Sequence, residues 1–182
     1  MSEDSNHKLI IRCAKPEDVM GMHEVFLAGW LTTYPNEEYG ITVEDIRYKY
    51  EQALLPEKLA ARKLRLAEPK DQELVLVCEL DGRIIGVCIG ARESQYNQLQ
   101  AIYVLSEFQG KGFGRLMFNE VVSVFDKNKK TIVHVASYNE KAIGFYQKLG
   151  FVSTGKIFRD DKHKLRNGSI IPELELEMPA TA

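Results

Sequence analysis

The stretch Phe108-Gln109-Gly110-Lys111-Gly112-Phe113-Gly114-Arg115 decides how this chain reads. Before it runs Leu99-Gln100-Ala101-Ile102-Tyr103-Val104, apolar and strand-like. After it, Met117, Val121 and Val124 line one face of an expected helix over 113–126. A glycine-rich turn from strand to helix can hold an anion. Glycine accepts positive φ and has no Cβ to keep a ligand off the backbone, and the free N–H groups opening a helix favour negative charge. Lys111 and Arg115 reinforce that charge. A tight turn that merely needs glycine would read the same way, so neighbouring sequence has to choose.

Two phosphate motifs drop out. A P-loop closes on Gly-Lys-Ser/Thr, whose hydroxyl holds magnesium, whereas here Gly114 is followed by Arg115 and Leu116. A dinucleotide fingerprint wants its third glycine one place later and an acidic residue roughly 20 positions on. Asn128, Lys129 and Lys130 stand there instead.

Downstream lies Ser137-Tyr138-Asn139-Glu140-Lys141-Ala142-Ile143-Gly144-Phe145-Tyr146-Gln147-Lys148-Leu149-Gly150-Phe151. Together the two segments resemble the acyl-CoA site of the GNAT superfamily of N-acetyltransferases. Its marks are a Gln/Arg-x-x-Gly-x-Gly/Ala loop and an Asn-x-x-Ala-x-x-Phe-Tyr-x-x-x-Gly-Phe helix. Gln109, Gly112 and Gly114 match the first, and Asn139, Ala142, Phe145, Tyr146, Gly150 and Phe151 match the second, in the same order and spacing.

With 182 residues, 45% hydrophobic and 27% charged, the chain can bury one ordinary core, so a single domain over 1–182 is expected, with its core at about 8–178. A net charge of -2 and the lack of a dominant basic block argue against nucleic-acid or anionic-membrane partners. Lys58, Arg62, Lys63 and Arg65 read as a solvated helix face. Cys13, Cys78 and Cys88 lie in apolar runs without Cys-x-x-Cys spacing and read as buried reduced thiols. His7, His23, His134 and His163 are scattered, so no metal is expected. The start is polar and no apolar run reaches about 18 residues, which points to a cytoplasmic protein.

Along the chain, 8–12 reads as a strand, and Pro16-Glu17-Asp18 starts a helix running to about Trp30. Thr42-Val43-Glu44-Asp45 is a capping-box start, and Pro56 breaks or restarts that helix. Runs over 73–80 and 83–90 flank Asp81-Gly82, a hairpin signal, followed by strands over 97–104 and 131–136. Asn139 can cap the next helix and Gly150 end it. Runs over 151–158 and 169–178 then form a hairpin about Asn167-Gly168, with Glu173, Glu175 and Glu177 on a wet face. This is an α/β chain: a mixed, mostly antiparallel sheet of six or seven strands with helices on both faces. The resemblance implies a GNAT-like fold in which the strands over 97–104 and 131–136 splay to form a cofactor cleft.

The chemistry follows from what acetyl transfer requires. The backbone from Gln109 through Gly110, Lys111, Gly112, Phe113 and Gly114 to Arg115 would hold the CoA pyrophosphate. The resemblance implies that Ile102, Tyr103 and Val104 bond the pantetheine arm through their backbone and polarise the thioester carbonyl. It also implies that Asn139 contacts that arm and that Tyr146 gives the leaving thiolate a proton. A phenol, with its ordinary pKa near 10, can donate one at neutral pH. Tyr146 would stand at the cleft edge. Where relatives carry a glutamate general base, this chain has Gln98 and Gln100. Ordered water, Glu93, Tyr34 or His134 could serve, or the amine could arrive neutral.

The loop Trp30-Leu31-Thr32-Thr33-Tyr34-Pro35-Asn36-Glu37-Glu38-Tyr39-Gly40 offers aromatic rings beside two carboxylates, suited to a cationic amine through Trp30, Tyr34, Glu37 and Glu38. A plain solvated acidic loop is the other reading. The expected activity is acetyl transfer from acetyl-CoA to a small amine, a polyamine or a peptide amino terminus, by a monomer or homodimer. A non-catalytic acyl-CoA-binding or regulatory module is the alternative.

Overall fold

A computed structural model describes residues 8–181; the ends of the 1–182 domain assignment, residues 1–7 and 182, lie outside it. Seven strands form one sheet: β1 (Leu9–Cys13), β2 (Glu73–Leu80), β3 (Arg83–Arg92), β4 (Asn97–Val104), β5 (Thr131–Ala136), β6 (Val152–Arg159) and β7 (Pro172–Met178). Their order is β1-β2-β3-β4-β5-β7-β6, antiparallel throughout except for the parallel β4–β5 pair. The Asp81-Gly82 turn joins β2 to β3 with both residues at positive φ, 51° and 84°, which matches the right-handed twist of the flanking strands.

Among the described residues five α-helices cover the two faces: α1 (Val19–Thr33), α2 (Val43–Gln52), α3 (Pro56–Ala67), α4 (Phe113–Ser123) and α5 (Glu140–Lys148). Alternation along β4 separates the faces. Tyr103 meets α1 at Gly29, whereas Val104 lies toward Gly114 at the start of α4. The main core packs Val25 of α1 and Met117, Phe118 and Val121 of α4 against Val77, Ile85, Val87 and Leu99. A second cluster gathers Trp30, Ile41, Ile46, Ala136, Leu165 and Ile171 at one end of the sheet.

Several boundaries differ from expectation for local reasons. α1 runs to Thr33, past Trp30, because the Tyr34 N–H still bonds Trp30 O at 3.0 Å and Pro35 then blocks the helix. α4 ends at Ser123 rather than at 126, because the Asn97 side chain captures the Asp126 backbone, donating to its carbonyl at 2.9 Å and accepting its N–H at 3.0 Å. Pro56 restarts the helix as α3. β3 reaches Arg92, whose N–H bonds Gln72 O at 2.7 Å. β7 begins at Pro172 rather than at 169. The preceding residues are drawn away by the Arg166–Asp45 ion pair at 2.8 Å and by Asn167 and Ser169 donating to Gly40 O at 2.8 and 2.9 Å. The β6–β7 connection is therefore a flap over the second cluster, not a tight hairpin. Cys78 and Cys88 are buried, their thiols pushed up to about 11 and about 12, but Cys13 is exposed at the end of β1.

Candidate active site

β4 and β5 pair at three positions only, Asn97 with Thr131, Gln98 with Ile132 and Leu99 with Val133. Beyond them the strands part. The opened edge carries Ile102, Tyr103 and Val104, so the polar backbone of a strand lines a gap in the middle of the sheet. The glycine loop sits at its mouth, tied down by Gln109: its Nε2 donates to Val104 O at 2.8 Å, and its Oε1 accepts from Lys141 Nζ at 2.6 Å.

Gly110 and Gly112 both take left-handed φ, 78° and 86°, and a Cβ on either would meet nothing within 4 Å. Space stands open over the loop where a side chain would project. Gly112 is also the N-cap of α4 and supplies no side-chain cap. The first intrahelical bond is Leu116 N–H to Gly112 O at 3.1 Å, so the N–H groups of Phe113, Gly114 and Arg115 point outward with the positive end of the dipole. Lys111 stands over the Phe108 ring at 5.2 Å, and Arg115 donates to Lys148 O at 3.1 Å, which keeps both cations beside the loop. Gly114 has a different reason to be glycine. Its Cβ would press the Phe145 ring at 3.3 Å, so it allows α4 and α5 to approach.

Asn139 caps α5, its Oδ1 accepting the Ala142 N–H at 3.1 Å. Two helical turns later Tyr146 is buried rather than standing at the cleft edge, its ring against Phe145 and Phe151 at 5.3 and 5.7 Å. Burial pushes its phenol above the ordinary value, with Tyr34 and Cys88 as its charged-state neighbours.

On the α1 side of β4, Tyr34 and Tyr103 share a hydroxyl–hydroxyl bond of 2.7 Å, Trp30 packs on Tyr34 at 4.5 Å, and Tyr138 donates to Tyr34 O at 2.8 Å. Burial raises both bonded phenols. Trp30 and Tyr34 thus come together as expected, on the end of α1 rather than in a loop. Glu37 and Glu38 do not join them. Both are exposed at the tip of a turn closed by the Asn36–Ile41 bridge.

Of the candidate bases, Glu93 borders a depression of about 620 Å³ with Arg92 and Lys129, beside the paired end of β4 and away from the gap. His134 projects from β5 next to Glu175 at 3.7 Å, and burial keeps it neutral. The carboxylate that is buried near the tyrosines is Glu173. The face expected to be wet is largely covered: the β6–β7 flap brings His163 over Glu173, the Glu175 side chain is 13% exposed, and only Glu177 reaches 34%. Glu173 is 8% exposed, burial raises its pKa, and its charge is felt at both Tyr34 and Tyr103. Sequence reading missed it, and the alternation of β7 gave no signal to separate Glu173 from its neighbours.

Among the described residues no three metal-ligating side chains cluster, and no helix is long and apolar enough to cross a membrane.

Comparison with known proteins agrees with this geometry. The profile of the Acetyltransferase (GNAT) family matches residues 23–151, which include the gap, the glycine loop and α5. An uncharacterized N-acetyltransferase of Methanocaldococcus jannaschii is 28% identical over 91 residues, 45% of this chain and 40% of that protein. The matched part is thus less than half the length of that relative. Among solved structures, the PaiA N-acetyltransferase of Thermoplasma acidophilum, in complex with coenzyme A, superposes with a TM-score of 0.70 at 23% identity, over 94% of this chain and 99% of that one. The ribosomal-protein-S18-alanine N-acetyltransferase of Escherichia coli superposes with a TM-score of 0.60 at 14% identity, over 96% of each chain. At these identities the structural likeness speaks for the fold, and the family profile speaks for descent. Sequence motif, parted strands and profile match converge: the chain belongs to the GNAT family of acetyltransferases.

Proposed function

We propose that the chain transfers an acetyl group from acetyl-CoA to a primary amine, by direct attack in a ternary complex. The observation that carries this reading is the β4–β5 pair, bonded at three positions and then open, with the uncapped start of α4 at its mouth. A similar fold holds coenzyme A in the PaiA enzyme. Here the N–H groups from Gly110 to Arg115, with Lys111 and Arg115, would take the pyrophosphate, and Gly110 and Gly112 leave room for it. The pantetheine arm would run along Ile102, Tyr103 and Val104, near Asn139, where a backbone N–H can polarise the thioester carbonyl.

Tyr146 is the proton donor in this reading. Burial keeps its phenol protonated at neutral pH, and the family motif that this residue matches supports the role. A thiolate is a weaker base than a phenolate, so the proton moves only as the nitrogen of the tetrahedral intermediate gives up its own. Trp30 and Tyr34 would contact the acceptor, with Glu37 and Glu38 drawing cations from solvent. The amine is a small amine, a polyamine or a peptide amino terminus. The test is release of free thiol from acetyl-CoA across such amines. Release that saturates in both acetyl-CoA and acceptor supports transfer, whereas tight acetyl-CoA binding with no acceptor-dependent release makes the chain a binding module.

A further inference from the structure

The Glu173 carboxylate is buried without the partners such a charge needs. Its Oε2 is buried and has no hydrogen-bond partner among the described residues. Its Oε1 lies 3.8 Å from His163 Nε2, too far for a hydrogen bond. His163 is no cation at neutral pH, because burial together with Lys162 and Lys49 holds its pKa near 4. Lys162 is committed to Asp160 at 2.8 Å and is half exposed, and Lys49 rests over the Trp30 ring at 5.5 Å. An unpaired buried carboxylate is destabilising, and a fold keeps one where a ligand will supply the missing charge or proton.

The groups facing Glu173 describe that ligand. From the β6–β7 flap comes His163 at 3.8 Å, with Lys162 and Asp160 acting on the carboxylate by charge, and Tyr34 at the end of α1 and Tyr103 of β4 lie within its electrostatic reach. Trp30 lies 5.9 Å from the His163 ring, which is itself 3.8 Å from Glu173, and 4.5 Å from Tyr34, so the carboxylate borders an aromatic cluster through His163. In sheet register Glu173 pairs with Ala136 of β5, the strand that borders the gap. Rings around one carboxylate suit a compact ammonium group on a slim apolar stem.

We propose that Glu173 receives the ammonium group of the acceptor and takes its proton, against an aromatic wall of Trp30, Tyr34 and Tyr103. This deepens the acetyl-transfer reading and rests on it for its purpose. The steps balance. The N–H bond of R–NH3+ breaks, its proton bonds to Glu173 Oε2, and the electron pair stays on nitrogen. Nitrogen then uses that pair to bond the thioester carbon, the C–S bond breaks, and the thiolate leaves with the C–S bonding pair and receives the Tyr146 proton. The second proton shed by nitrogen restores Tyr146, and Glu173 returns its proton to solvent. This supplies the base that Gln98 and Gln100 cannot. The raised pKa of Glu173 brings it closer to the working pH of a base.

The chain has one tryptophan, so Trp30 fluorescence reports on this aromatic cluster directly. The full chain, saturated with coenzyme A so that no turnover occurs, is titrated with n-propylamine and with its uncharged counterpart n-propanol. The expected result is a saturable propylamine response that weakens at least tenfold in Glu173→Gln and less in Glu173→Asp, while the propanol response is unchanged. Lowering the pH toward the carboxylate range should weaken propylamine in the parent and not in Glu173→Gln. Unaltered coenzyme A affinity shows that the variants are folded. Equal propylamine affinity in parent and Glu173→Gln, or no saturable response in the parent, overturns the proposal. Thiol release judges the reaction separately. Propylamine held by Glu173 with no thiol release from any amine would overturn acetyl transfer and leave the ammonium site standing. Parental turnover at pH 7 in Glu173→Gln would overturn the proton transfer.

Discussion

Replacing Gly112 by alanine isolates the backbone cradle from the rest of the site. Gly112 sits at φ 86° with nothing within 4 Å of an added Cβ, so the substitution creates no clash in the free protein. Its intrinsic cost is the left-handed conformation, about 1–2 kcal/mol for an L-residue. In a chain of this length that lowers Tm by about 2–8 °C. Gly82 is a matched control: φ 84°, nothing within 4 Å, and a place in the β2–β3 turn. Gly82→Ala and Gly112→Ala should therefore lose similar stability. Only Gly112→Ala sets a methyl group where the pyrophosphate must approach, so acetyl-CoA affinity should fall at least tenfold, about 1.4 kcal/mol. Thermal unfolding reads the first quantity and calorimetric titration the second. If Gly112→Ala binds acetyl-CoA within twofold of the parent while sharing the stability loss of Gly82→Ala, the glycine serves the turn alone.

Tyr146→Phe keeps the ring packing on Phe145 and Phe151 and removes only the hydroxyl, so kcat should fall about 10²-fold with acetyl-CoA affinity changed less than about threefold. A collapse of affinity at normal kcat would make the hydroxyl a cofactor contact. Glu173→Gln should stabilise the protein at neutral pH. A carboxylate raised above 4.5 favours the folded state while protonated and loses that contribution as pH rises through its folded value, so the advantage of glutamine should vanish below about pH 4.5 in thermal unfolding. A variant less stable than the parent at pH 7 would mean that the charge is compensated. Gly29→Ala drives a Cβ into the Tyr103 ring, so Tm should drop and acceptor turnover should suffer more than acetyl-CoA binding, for an overpacking cost of about 1–3 kcal/mol. Equal losses in both would detach Tyr103 from the acceptor side.

What the sequence revealed and what it hid divide along the range of the forces involved. The Asp81-Gly82 turn, the Thr42 and Asn139 caps and the glycine loop are local, and each formed where its residues indicated. The splay of β4 from β5 was legible through family resemblance alone, since nothing in either strand announces that pairing stops after Leu99. Boundaries set by distant partners were not legible. Asn97 ends α4 from 29 positions away, and Asp45 and Gly40 pull the β6–β7 flap out of the ladder. That same flap turns Glu173 from one of three alternating surface glutamates into a buried charge. Glu37 and Glu38, by contrast, looked like an acceptor site by composition, and the turn at Asn36 sets them in solvent.

The most direct measurement is a crystal structure of the chain with acetyl-CoA. The pyrophosphate oxygens should lie within about 2.7–3.2 Å of backbone N–H groups between Gly110 and Arg115. The pantetheine arm should run between β4 and β5, with its sulfur facing the Tyr146 hydroxyl. Electron density for the cofactor outside the β4–β5 gap, or a thioester remote from Tyr146, would contradict the reading of this site as an acetyl-transfer centre.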